Sequence, residues 1–273
     1  MIATYRSRIN MLPMPLKMKI GELSEQYGLR PSSKREILLD ALDKSKIEWT
    51  EIGTGTNRFC FRHDSYVFKT ALDLEGIADN AQEWAMTKRL KNVPMTHEIT
   101  RGRHLMVASY IPALTSFQDM QLYSTQIKEI LSRWNSEGYL LGDVGLAAEN
   151  YANWGALNKK AYCIDSAYIF PATCNLFGCR CGNTRMVPSD GTFTSYKCTA
   201  CGAIYTDREL RSRISSEERI KLFENSTGFL LTKPVEEREV DNAYAYDDKQ
   251  YAADEFQSAL NLVQGKHFDG IKY

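Results

Sequence analysis

The sequence predicts an α+β protein, β-rich before about residue 113 and mainly helical after it, with a four-cysteine zinc ribbon set into the second part. Three observations carry this. From Ile47 to Thr70 apolar residues recur with period two, as in strands with one buried face. After Pro112 the period becomes helical, with Ile127, Ile130, Leu131 and Trp134 at i, i+3, i+4 and i+7. Five of the seven cysteines fall between Cys174 and Cys201.

Residues 1–45 read as an extension. They carry a helix over Ser33–Lys44, started by Ser32 or Ser33, with Ile37, Leu38 and Leu42 on one face. Residues 46–112 form the β-rich lobe. There Phe59, Phe61, Tyr66 and Phe68 flank a turn at His63-Asp64-Ser65, a helix runs from Leu74 to Lys91, and a second hairpin turns at Arg101-Gly102-Arg103. Residues 113–273 form the helical lobe, with the ribbon at about 172–206. In this lobe Ser124 is the expected N-cap of the first strong helix and Gly138 lies just past its end. Short strands follow around Asn153 and Tyr162–Ile164. The run Ser215-Ser-Glu-Glu218 has the form of a capping box opening a helix through Phe223.

The chain has 273 residues, 43% hydrophobic and 25% charged, with zero formal net charge. The whole molecule is therefore no electrostatic magnet for nucleic acid or anionic lipid. Charge is uneven, basic in the opening stretch and acidic from Glu236 to Glu255, as solvated or partner-contacting ends would be. No apolar run approaches the ~18 residues needed to cross a bilayer, and Pro13 and Pro15 interrupt what would have to be an export-signal core. A cytoplasmic location is expected, and in that compartment clustered cysteines point to metal rather than disulfides.

The segment Glu51-Ile-Gly53-Thr-Gly55 places two glycines at the entry to a hairpin, where backbone N–H groups can approach phosphate oxygens. Lys69 ends the alternating strand that follows, and Glu83 on the next helix is placed to hold it. Asp143 follows the strong helix, then come Asn150, Asn153 and the apolar strand ending at Asp165. Phosphoryl transfer needs a carboxylate beside the attacking hydroxyl, and a carboxylate plus a neutral oxygen donor on Mg²⁺. These residues supply that set in order.

Gly53, Gly55, Lys69, Glu83, the Tyr110-Ile-Pro112 segment, Asp143, Asn153 and Asp165 together resemble the motifs of the protein-kinase-like superfamily. The likeness covers roughly residues 47 to 170 and is nearer to its atypical members, including small-molecule kinases and bacteriophage-encoded kinase-like proteins. It implies a two-lobed fold that binds ATP and Mg²⁺ and transfers the γ-phosphoryl group to a protein or small-molecule hydroxyl. In that scheme Lys69 contacts phosphate and Glu83, Asp143 is the catalytic base, and Asn153 and Asp165 hold magnesium. The sequence departs from the pattern in four places. Arg58 stands where the third glycine is usual, Leu141 where a histidine is, and Ser166-Ala167 replaces Phe-Gly. The Asp143–Asn153 interval is also long, which leaves Asn150 as the alternative metal ligand. These departures keep open a catalytically inactive regulatory module of the same shape.

Cys198-Thr-Ala-Cys201-Gly202 has the spacing of a zinc knuckle, and Cys179-Arg-Cys181-Gly182 is a shorter partner. The expected ligands are Cys179, Cys181, Cys198 and Cys201, with Cys174 as a substitute in the first pair. Four thiolates close a zinc site, so its role is structural. Arg180, Arg185 and Lys197 lie nearby. They read as solvated, although a ribbon adaptor contacting nucleic acid or transcription machinery is a further alternative. The histidines are scattered and read as turn, strand or surface residues. Cys60 and Cys163 read as small core hydrophobes.

Overall fold

The computed structural model of the protein describes residues 7–26, 28–171, 179–183 and 185–224. Within them the chain is a mixed α+β structure whose sheets are antiparallel. Cys174, the acidic stretch from Glu236 to Glu255 and His267 lie outside the described residues. No described helix is long and apolar enough to cross a membrane.

The alternating segment forms three strands, β1 (Thr50–Thr54), β2 (Arg58–His63) and β3 (Tyr66–Ala71). The hairpin beyond the next helix adds β4 (Thr96–Ile99) and β5 (Leu105–Ser109), giving a five-stranded sheet in the order β1-β2-β3-β5-β4. Pairing of Phe61 with Phe68 and of Cys60 with Lys69 fixes which side chains share a face. Because side chains alternate across a strand, Phe59, Phe61 and Phe68 point one way, while Arg58, Cys60 and Lys69 point the other.

The phenylalanine face is covered by the N-terminal segment. Here the structure goes beyond the single helix expected from the sequence. Helix α1 (Met14–Glu25) precedes α2 (Pro31–Lys44), and Leu16, Ile20, Leu23, Leu38 and Leu42 share one buried cluster with Phe59, Phe61, Phe68 and Val107. Each large apolar side chain buried there is worth about 1.5–3 kcal/mol. Both helices carry a proline in the first turn, where the missing N–H costs nothing. Pro15, read in the sequence as an interruption, therefore opens a helix. For the same reason α2 starts at Pro31 after an uncapped Arg30, and neither Ser32 nor Ser33 is its cap.

Helix α3 (Leu74–Thr87) is capped by Asp73, whose carboxylate accepts the Gly76 N–H at 2.8 Å. Gly76 is required, since a Cβ there would lie 2.2 Å from the Asn57 carbonyl, which is itself held by the Leu72 N–H. Helices α4 (Phe117–Leu122) and α5 (Ser124–Ser136) follow, and Ile127, Ile130, Leu131 and Trp134 are buried as their spacing predicts. Ser124 is the first residue of α5 and not its cap. The preceding Tyr123 stands at that position with no side-chain capping bond. Trp134 stacks with Trp154 at 6.3 Å in the core beneath the second half of the chain.

Four short strands then frame the segment that carries the acids. β6 (Tyr139–Leu141) pairs with β9 (Ile169–Pro171), and β7 (Trp154–Leu157) pairs with β8 (Lys160–Cys163). A small sheet of β10 (Met186–Pro188), β11 (Ser195–Cys198) and β12 (Ile204–Thr206) carries the cysteines. It runs into α6 (Asp207–Arg211), which opens with a capping box of Thr206 and Glu209. Helix α7 (Ser216–Glu224) has the box read from the sequence: the Ser215 hydroxyl accepts the Glu218 N–H, and the Glu218 carboxylate accepts the Ser215 N–H.

His97 on β4 is 4% exposed, and its Nε2 meets Ser109 Oγ at 2.9 Å. Burial, with Arg8 and Lys88 adding to it, drives its pKa from 6.5 down to about 4. Between those pH values the unfolded chain binds a proton that the folded chain refuses, so stability falls as pH drops through this window. Urea unfolding at stepped pH should show a loss of up to about 3 kcal/mol between the two pKa values. His97→Gln should flatten that slope. Equal slopes in the two proteins would mean that His97 does not cause it.

Candidate functional site

The face of the sheet opposite the phenylalanines carries a buried network of charges. Lys69 Nζ lies 2.5 Å from Glu83 Oε1 and donates at 2.8 Å to the Ile164 carbonyl. Glu83 projects from α3, which packs on β3, and is 1% exposed. Its other oxygen accepts from Arg58 Nη1 at 2.7 Å, while Arg58 Nη2 donates to Asp165 Oδ2 at 2.7 Å. Arg58 Nε faces Asp79 at 3.8 Å. One guanidinium, 5% exposed, thus joins the glycine hairpin to α3 and to the segment after β8. Its planar array of donors suits this use, which a single ammonium could not match.

A second buried arginine extends the network. Arg219 on α7 donates to Asp79 at 2.6 Å, Glu75 at 2.5 Å, Gln82 at 3.0 Å and the Ala167 carbonyl at 2.9 Å. Sequence reasoning missed it because Ser-Glu-Glu-Arg at a helix start looks like a solvated face. The unusual signal is an α3 that buries Asp79, Gln82 and Glu83 with Glu75 half-buried, an arrangement that demands cations.

The expected acids converge on Asn153. Its Nδ2 donates to the Asp143 carbonyl at 2.6 Å, and its own carbonyl accepts from Ile164 N at 2.9 Å and Asp165 N at 3.4 Å. Asn150, the alternative, instead donates to the Gly145 carbonyl at 3.0 Å and is buried. Asp143 has φ of 62°, a left-handed conformation uncommon outside glycine and one that needs support from its surroundings. The structure thus brings Lys69, Glu83, Asp143, Asn153 and Asp165 into one connected region. Gly53 lies in β1 opposite Cys60, beside a register shift between Glu51 and Gly53, and Gly55 lies in the turn that leads into Arg58.

Burial and charge together move the pKa values of the two acids in opposite directions. Burial alone would raise the Asp165 pKa, but Arg58 and Lys69 outweigh it and hold the carboxyl below its ordinary value. At Asp143 burial prevails, aided by Asp165 and Asp207, and the pKa rises despite Arg211. An open depression of about 700 Å³ lies elsewhere, against Glu48, Trp49, Arg62 and Asp64. It includes none of these acids and carries no part of the site.

Cys179, Cys181, Cys198 and Cys201 form the other candidate centre. Their four sulfurs all lie within 4.8 Å of one another, with 3.4 Å between Cys179 and Cys201 and 3.7 Å between Cys181 and Cys198. Tetrahedral zinc with Zn–S bonds of about 2.3 Å sets its sulfurs about 3.8 Å apart. The cluster therefore fits zinc. Both halves turn at a glycine of positive φ, Gly182 at 87° and Gly202 at 74°. The Ala200 N–H and Asn183 Nδ2 point at Cys198 Sγ, as donors that stabilise a thiolate do.

A scan against models of known protein families returns no match, and a search of curated proteins returns none.

Purified chain should carry one zinc per molecule by elemental analysis, and Cys198→Ser should lower that content at least tenfold. A metal content that Cys198→Ser leaves unchanged would remove this assignment.

Proposed function

We propose that the chain is a kinase-like phosphotransferase that uses ATP and Mg²⁺ to phosphorylate a protein or small-molecule hydroxyl. The observation that carries the reading is the Lys69–Glu83 ion pair, with Lys69 in register with Gly53 through Cys60 and Asp165 joined to the pair through Arg58. A buried lysine held by a buried glutamate is oriented for phosphate oxygens. In this reading Asp143, whose raised pKa suits proton acceptance, receives the proton of the attacking hydroxyl. Asn153 spends its amide N–H on the Asp143 carbonyl, which leaves its side-chain oxygen to serve with Asp165 as the magnesium-holding pair. The metal would neutralise charge on the triphosphate.

One observation favours a second reading, a nucleotide-binding module without turnover. The carboxylate expected to hold magnesium already accepts a hydrogen bond from Arg58, a permanent cation in the place a metal would neutralise. Catalysis requires Arg58 to yield Asp165 to the metal, whereas simple binding does not.

Phosphoryl transfer from labelled ATP and thermal stabilisation by ATP should be measured together on wild type and Asp165→Ala. Transfer by wild type that falls by about 10²-fold or more in the variant supports the first reading. Stabilisation without transfer in wild type supports the second. Undiminished transfer by Asp165→Ala would refute the role given to Asp165.

A further inference from the structure

The segment bearing Asp143 is held on one side by residues 150–154 and on the other by the cysteine ribbon and the helix after it. Leu141 lies in β6, and the following Gly142 N–H is bonded to Tyr168 just before β9. Alternation along the strand turns the Leu141 amide groups to the other side. There the Tyr196 hydroxyl takes the place of a missing strand, accepting from Leu141 N at 2.9 Å and donating to Leu141 O at 2.8 Å. Tyr196 is 1% exposed and sits two residues before Cys198 on the same face of β11.

Asn153, Asn150 and Trp154 hold the carbonyls of Asp143, Gly145 and Val144, and further contacts come from the ribbon unit. The Asp143 N–H donates to Asp207 Oδ2 at 2.9 Å, and Asp207 opens α6 directly after β12. Arg211 on that helix lies 3.2 Å from the Asp143 carboxylate. The Leu146 N–H donates to the Thr192 carbonyl at 2.8 Å. Gly145 passes so close to the ribbon that a Cβ would lie 2.6 Å from the Phe193 carbonyl.

We infer that Tyr196 and Asp207 are positioning residues for the Asp143 segment, and that metal in the four-cysteine site holds residues 141–146 in place through them. The ribbon strands are only three or four residues long, so a bound ion adds order to them beyond their packing on the core. With the ion removed, Tyr196 and Asp207 lose their fixed places. The Leu141 amide groups and the Asp143 N–H then lose these partners. Asp143 in its left-handed conformation has most to lose. The value of this clamp for phosphoryl transfer rests on the reading above, but the coupling itself does not.

Residue-resolved amide hydrogen exchange on the full chain, without nucleotide, tests the coupling apart from any turnover. Stripping zinc with a chelator should deprotect the amides of Leu141, Asp143 and Leu146 by on the order of tenfold or more. Phe68 and Val107 in the five-stranded sheet should keep their protection. Tyr196→Phe with metal bound should deprotect Leu141 selectively. Asp207→Ala should deprotect Asp143, and Asp207→Asn, which keeps an acceptor oxygen, should restore it. Should chelation unfold the whole chain, the three metal-loaded variants decide. Unchanged protection of Leu141 in Tyr196→Phe and of Asp143 in Asp207→Ala would overturn the inference.

Discussion

Glu83 is the point on which the candidate site depends. A carboxylate 1% exposed is costly to bury without partners, because leaving water costs several kcal/mol. Two cations meet it, Lys69 from β3 on one oxygen and Arg58 from β2 on the other. Both come from the same face of one sheet because the strand register pairs Cys60 with Lys69 and puts Arg58 two residues further along. The pairing therefore fixes α3 against the sheet and fixes Arg58 where it reaches Asp165. Asp79 joins through Arg58 and Arg219, so helix α7, about 140 positions away in sequence, closes over the far side of the same helix.

The two faces of that sheet do different work. The phenylalanine face is closed by α1 and α2 with apolar contact, a non-directional force that tolerates small shifts. On the charged face nearly every group has a specific partner at hydrogen-bond distance, which tolerates little. On the other side of Asn153, the cysteine ribbon supplies order to a segment with few regular backbone partners of its own.

Much of this was legible in the sequence where contact is local or periodic. Alternation in Phe59–Phe68, the 3.6-residue spacing from Ile127 to Trp134, the Ser215–Glu218 box and the paired cysteines each encode their own geometry. Lys69 and Glu83 were readable as partners because a strand and the helix after it lie side by side. Arg58 was visible only as a departure from a glycine pattern. Its position on the Lys69 side of β2 follows from counting by two, but its partner Asp165 lies 107 positions on. Tyr196, Asp207 and Arg219 were illegible for the same reason: their bonds cross 50 residues or more, and no local pattern marks them. Helix α1 was hidden by prolines, which end helices from within but begin them from the first turn.

The proposed function requires that Lys69, held by Glu83, face the phosphates of a bound nucleotide. Calorimetric titration with ATP, in wild type and in Lys69→Met, addresses it without requiring turnover or a known acceptor. The account predicts saturable binding by wild type and its loss or severe weakening in the variant, with the folded state of both verified by circular dichroism. Equal affinity in the two proteins, or no binding by wild type at millimolar ATP, would contradict it.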